Sequence, residues 1–140
     1  MFVIHSIAKI SFFNERLENN LHYIELLCMK SVSKDLVAAS CIPLVLSILE
    51  EGEDYGYSII KKVMAASNNQ LEWKEGSLYP VLSKLEKNGY VNSEIRTENG
   101  RKRKYYSINK PGKSKLAELR EEWQLITTTM NILWNPKTTN

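Results

Sequence analysis

The chain has 140 residues, 43% apolar and 25% charged, with a net charge of +3. That composition suits one soluble globular core with an appended element, and its mild basicity permits a polyanionic partner without requiring one. Cys28 and Cys41 have no second Cys or His at metal-ligand spacing, and His5 and His22 stand apart from any acidic cluster. This argues against a disulfide framework and a metal site. There is no nucleophile elbow, no carboxylate pair in a recognisable setting and no phosphate-cradling glycine loop, so neither an enzyme nor a cofactor is expected.

Residues 1–33 form an N-terminal extension, with Leu17, Leu21, Ile24 and Leu27 at helical spacing. Two readings stand here: an added helix or arm, or translation beginning at Met29. The opening apolar run is broken by His5, Ser6 and Lys9 and has neither a basic leader nor a small-residue cleavage site, so a cytoplasmic protein without membrane contact is expected.

Residues 34–110 carry the denser signals. Ser40 is a candidate N-cap with Pro43 in the first turn, opening a helix through Leu44, Leu46, Ile48 and Leu49 that ends near Gly52. Asp54 is placed to cap a second helix over residues 55 to about 67, with Tyr57, Ile60 and Met64 on one face and Lys61 and Lys62 outward. Tyr55 and Tyr57 read as packing residues, and Gly56 as permitting close helix approach. Asn68 and Asn69 tolerate the left-handed conformation that closes this helix. A third helix is predicted over residues 77–88, with Leu78, Val81, Leu82 and Leu85 on one face and Gly89 as its stop. With Ser77 as cap, Pro80 is the third helical residue and costs no hydrogen bond.

Two β-rich runs then flank Asn99-Gly100, the pair favoured in a type I′ hairpin. Pairing outward sets Ile95 against Lys104, Ser93 against Tyr106 and Val91 against Ile108, which puts Val91, Ile95, Tyr106 and Ile108 on the core side. Pro111-Gly112 breaks the strand, and residues 111–134 read as a long helix with Leu116, Leu119, Trp123, Ile126, Met130 and Leu133 in a heptad seam. A helix of that length spans roughly 33 Å, more than a small core covers. A short tail, 135–140, ends the chain.

Helix, turn, helix and hairpin in this order predict a mainly α winged helix-turn-helix with a small β-wing and a long C-terminal helix. Burying the leucine face leaves Ser77, Tyr79, Ser83, Lys84 and Lys87 outward, the donors and cations that base edges and phosphates require. In the hairpin, Arg96 falls opposite Arg103, beside Arg101 and Lys102 at the tip. Like charges face to face cost stability, which a phosphate between them relieves; the other reading is a solvated charge run. Lys61 is a further candidate backbone contact. A protein-interaction module built on the same fold is the alternative to a DNA-binding one.

The segments LVLSILEEGEDYGYSIIKKV, EGSLYPVLSKLEKNGYV and GRKRKYYSINKPGKSKL resemble the PadR family of bacterial winged-helix regulators. The resemblance spans residues 36 to about 134, and it is the combination of YGY, GSLYP, the leucine run and the basic wing that is specific. It implies a homodimer held by the C-terminal helix, an inverted-repeat operator in double-stranded DNA, and repression relieved by a small molecule. It implies DNA contacts from Tyr79, Pro80 and Lys84 and from the wing residues Arg101, Lys102, Arg103 and Lys104. From Met29 onward the length is similar to that of the subgroup with one C-terminal helix, a pattern from which the preceding residues depart. In multidrug-sensing members of that subgroup a tryptophan of the last helix stacks on flat aromatic ligands; Trp123 holds the similar position, with Leu119, Thr127 and Ser47 near it by the same similarity. Packing in the dimer seam alone also explains a tryptophan there.

Overall fold

The computed structural model describes residues 32–135. The chain divides into units of residues 1–33 and 34–140, and the second contains every described helix and strand. The N-terminal helical spacing at Leu17 to Leu27, the alternative start at Met29 and nearly all of the C-terminal tail lie outside the described residues. The described elements are α1 (Lys34–Glu51), β1 (Asp54–Tyr55), α2 (Gly56–Ala66), α3 (Glu75–Lys87), β2 (Val91–Glu98), β3 (Arg101–Ile108) and α4 (Lys110–Trp134). The strands form an antiparallel sheet in the order β1-β3-β2. This is the mainly helical winged helix with a long last helix that the sequence predicts.

Helix α1 begins earlier than expected. Ser40 is not its cap: its hydroxyl donates to the Val37 carbonyl inside the helix, at 2.9 Å. Pro43 therefore sits in the interior, where it removes one backbone hydrogen bond. The burial of Cys41, Val45, Leu46 and Leu49 along one stripe outweighs that loss. Asp54 is likewise not the N-cap of α2. It lies in β1, opposite Tyr106, and Tyr55 occupies the cap position without a side-chain bond. From one residue further back the Asp54 carboxylate still accepts the Tyr55 N–H (2.9 Å) and the Ser58 hydroxyl (3.0 Å). The buried stripe of α2 is Gly56, Ile59, Ile60 and Val63, not Tyr57, Ile60 and Met64; Tyr57 is exposed and Met64 only half-buried. Asn68 and Asn69 do adopt positive φ, at 50° and 61°.

Helix α3 starts at Glu75 rather than after Ser77, with Lys74 as its cap. Pro80 is thus interior too, leaving the Gly76 carbonyl without its helical donor. Leu78, Leu82 and Leu85 are buried as expected and hold the helix to the core. Its end is a Schellman closure: Gly89 takes φ of 76°, its N–H bonds the Glu86 carbonyl at 3.0 Å, and the Tyr90 N–H bonds the Leu85 carbonyl at 2.9 Å.

The hairpin has the predicted register throughout, Val91 opposite Ile108 to Glu98 opposite Arg101. Positive φ at both Asn99 (49°) and Gly100 (76°) suits the type I′ turn. One expectation fails: Ile95 is 68% exposed. Only the inner half of the hairpin, around Val91 and Tyr106, rests on the core, and the outer half projects beyond it.

Helix α4 is capped by Asn109, whose side-chain oxygen accepts the Gly112 N–H at 2.9 Å. Gly112 is buried so closely that a Cβ would meet the Tyr90 carbonyl oxygen at 2.0 Å, so the helix start is pressed against the strand entrance. Leu116 completes the core with Trp73 and the residues named above. Among the described residues, no helix is long and apolar enough to cross a membrane.

Candidate nucleic-acid interface

With its leucines inward, α3 turns Ser77, Tyr79, Pro80, Ser83, Lys84 and Lys87 to solvent. Lys84 and Lys87 lie in its last turn, where cations are favoured by the helix dipole. Tyr79 is also a packing residue: its ring covers Gly56, whose absent Cβ would lie 3.1 Å from it. Gly56 thus permits the close approach of α2 and α3. On α2, the Lys61 ammonium lies over the Tyr57 ring at 4.7 Å, an exposed cation with an aromatic support. Lys62 is different, being tied to the buried Asp54 at 2.8 Å, and that bond raises its pKa.

The wing's two faces are set by the strand alternation. On the inner face, Lys104 reaches Glu86 of α3 at 2.8 Å, and Ser93 donates to the other oxygen of the same carboxylate. These bonds, Lys104 first, lower the Glu86 pKa, and Glu86 in turn raises that of Lys104. On the outer face, Arg96 makes a two-pronged bond to Glu53, at 2.5 and 2.8 Å, and a third to Glu94 at 3.0 Å. The Arg96 bond lowers the Glu53 pKa, and Glu53 raises that of Arg96. Arg103 pairs with Glu98 at 3.1 Å, and the Tyr105 hydroxyl donates to the same carboxylate at 2.8 Å.

Aromatic rings interleave with these charges. The Arg96 guanidinium lies 4.7 Å from the Tyr105 ring centre and that of Arg103 4.7 Å from Tyr55, while the two rings meet edge to face at 5.4 Å. Arg96 and Arg103 are opposite one another as the register predicts, but their mutual repulsion is answered by the chain's own Glu53, Glu94 and Glu98. Sequence reasoning passed over these carboxylates and Glu86. Only Glu94 and Glu98 carried a usable signal, by lying two residues from Arg96 on the same strand face. Arg101 and Lys102 stand exposed at the tip, with no ion pair to either among the described residues.

The seam of α4 divides. Leu116 is buried and Leu119 packs partly against the core, with Arg120 anchored to Glu50 of α1 at 2.6 Å. Trp123 is half-buried, and Ile126, Met130 and Leu133 are exposed. The Thr127 hydroxyl donates to the Trp123 carbonyl at 2.8 Å, so its polar group is turned onto its own helix. Ser47 is half-buried on α1.

Residues 45–118 match the Transcriptional regulator PadR-like family. An uncharacterised protein of Lysinibacillus sphaericus is 34% identical over 93 residues, which make up 66% of this chain and 85% of that protein. Among solved structures, a transcriptional regulator from Clostridium thermocellum is 34% identical with a TM-score of 0.66, over 71% of this chain and 95% of that one. A PadR family regulator from Clostridium difficile is 32% identical with a TM-score of 0.60, over 68% and 98%. A PadR-like regulator from Bacillus cereus is 28% identical with a TM-score of 0.65, over 74% and 100%. With more than half its length matching the family and its winged helix shared with these regulators, the chain belongs to the PadR-like family of transcriptional regulators, DNA-binding proteins rather than enzymes.

Proposed function

We propose that this regulator binds duplex DNA as a homodimer in the cytoplasm, with α3 of each protomer in a major groove and the wing tip on the flanking backbone. The exposed row Ser77, Tyr79, Pro80, Ser83, Lys84 and Lys87, together with the exposed Arg101 and Lys102, carries this reading. It offers base-reading donors together with phosphate-neutralising cations. Lys61 on α2 adds a backbone contact; Arg96, Arg103 and Lys104 complete the basic wing. Footprinting on the DNA upstream of the protein's own gene tests this: two protected half-sites in inverted repeat are expected, and one asymmetric half-site at saturating protein overturns it.

The exposed apolar positions Ile126, Met130 and Leu133, following Leu116, Leu119 and Trp123 along one heptad stripe, support a second copy as the cover of α4. On this reading the protein is a repressor, and a flat aromatic effector enters beside Trp123, Leu119, Thr127 and Ser47 to loosen it. Trp fluorescence titrated with planar aromatic compounds checks this, with quenching in the wild type that Trp123→Ala abolishes. Equal responses from the two proteins sink the effector site and leave Trp123 as seam packing.

A further inference from the structure

The basic residues of the wing fall into two sets. Arg101 and Lys102 are exposed at the tip, whereas Arg96, Arg103 and Lys104 each end on a carboxylate. Two of these ties leave the hairpin. On the inner face, the single carboxylate of Glu86 on α3 holds Ser93 of β2 and Lys104 of β3, one residue from each strand. On the outer face, Glu53, just ahead of β1, grips Arg96 of β2 through both its oxygens. A third tie, Arg103 to Glu98, joins the two strands to one another, with the Arg103 guanidinium over the Tyr55 ring.

A two-stranded ribbon is marginal by itself in water, and the outer half of this one has no apolar cover, as the exposure of Ile95 shows. Beyond the β1 pairing and the Tyr55–Tyr105 contact, what holds it is polar: one anchor to α3 and one to the approach to β1, on opposite faces. A cation already neutralised within the protein has little charge left to displace counterions from DNA. An unpaired cation at the tip displaces about one.

We propose that Arg96, Arg103 and Lys104 are positioning residues that lock the wing at a set angle to α3, and that each wing offers phosphate only Arg101 and Lys102. The second half rests on the DNA-binding reading above; the first concerns the unbound protein. A carboxylate at Glu53 opposes DNA binding if Arg96 is a phosphate contact and supports it if Arg96 is a positioning residue, so the two roles predict opposite signs for Glu53→Gln.

The test titrates a mixed-sequence DNA duplex over a range of salt concentrations with wild type, Arg101→Ala, Arg96→Lys, Arg96→Gln and Glu53→Gln. Arg101→Ala is expected to lower the slope of log Kobs on log salt by about 1 per protomer. Arg96→Gln, Arg96→Lys and Glu53→Gln are all expected to weaken binding by about threefold, the scale of one exposed ion pair, with the slope unchanged. Arg96→Lys keeps the charge but loses the fork, so a phosphate role leaves it near wild type. A smaller slope in Arg96→Gln together with tighter binding by Glu53→Gln overturns the proposal. Hydrogen exchange of the unbound protein supplies the arm that needs no DNA: Glu86→Gln and Glu53→Gln are expected to speed exchange in the outer half of β2 and β3, and unchanged exchange overturns the locking. A wild-type protein that does not bind the duplex refutes the functional reading and the phosphate assignment together, leaving exchange to decide the locking alone.

Discussion

The two halves of α4 carry similar apolar residues in one heptad stripe and meet opposite fates. Leu116 is fully buried in the core, whereas Ile126, Met130 and Leu133 are 45%, 38% and 71% exposed. The winged-helix body exhausts its own core near Trp123, and the helix continues for eleven more residues, from Trp123 to Trp134, beyond it. Burial of apolar area is what stabilises a helix in a folded protein; the first half finds it against the other described elements, and the second is left without apolar cover among the described residues. The proposed DNA-facing surface belongs to the self-sufficient half, whereas the proposed contact with a second copy would have to involve the other.

The sharpest way to break this division is to weaken each side in turn. Leu82→Ala, in the fully buried face of α3, is expected to cost about 2–5 kcal/mol, read by denaturant unfolding at the same protein concentration as wild type; a loss under about 1 kcal/mol contradicts its place in the core. Gly112→Ala comes next. Its Cβ has to displace the Tyr90 carbonyl and Ile108, an overpacking cost of about 1–3 kcal/mol, and melting unchanged from wild type breaks the idea that α4 is pressed onto the body there.

Met130→Asp tests the other side. Sedimentation velocity is expected to show the dimer dissociation constant raised at least about tenfold, or ~1.4 kcal/mol, with the circular dichroism of the body intact. A wild type that is monomeric at micromolar concentration refutes the seam outright. The smallest effect concerns Glu86, whose folded pKa lies below the usual carboxylate value because Lys104 and Ser93 bond its charged form. A depressed carboxylate contributes stability that is fully present above its unfolded pKa and lost as pH falls through the folded one. Wing protection factors, taken relative to the intrinsic amide exchange rate at each pH, are therefore expected to fall as pH drops through the carboxylate range, and Glu86→Gln to remove that portion of the pH dependence. Identical pH profiles remove the tie.

The elements most legible in the sequence were those whose signals are local. Asn99-Gly100 specified the turn and with it the register, because both residues accept positive φ and the side-chain period of a strand is 2. The leucine face of α3 was equally plain, since 3.6-residue periodicity over four leucine and valine positions has no other reading. Helix starts were not. Ser40 and Ser77 offer capping oxygens and Pro43 and Pro80 fit a first turn, yet both helices begin upstream and carry the proline inside. A cap is a local preference of about 1 kcal/mol, and tertiary packing overrides preferences of that size.

The candidate site divides the same way. Outward placement of Ser77, Tyr79, Ser83, Lys84 and Lys87 follows from burying the leucines, so the sequence located that surface. The state of the wing cations did not follow: Glu53 lies 43 residues from Arg96, and Glu86 18 residues from Lys104. Their meeting depends on how β1 and α3 are set against the hairpin, a relation between distant segments that no periodicity encodes.

By itself, then, the sequence determined the order of the helices and the hairpin, the hairpin register and the outward face of α3, because each follows from side-chain periodicity and from residues with a narrow choice of backbone conformation; strand β1 was not among them. Only the tertiary structure decided where α1 and α3 begin, that Ile95 overhangs the core, and that Arg96 and Lys104 are already paired with Glu53 and Glu86. Those outcomes are set by contacts between segments far apart in the chain, where burial and charge neutralisation outweigh local preference.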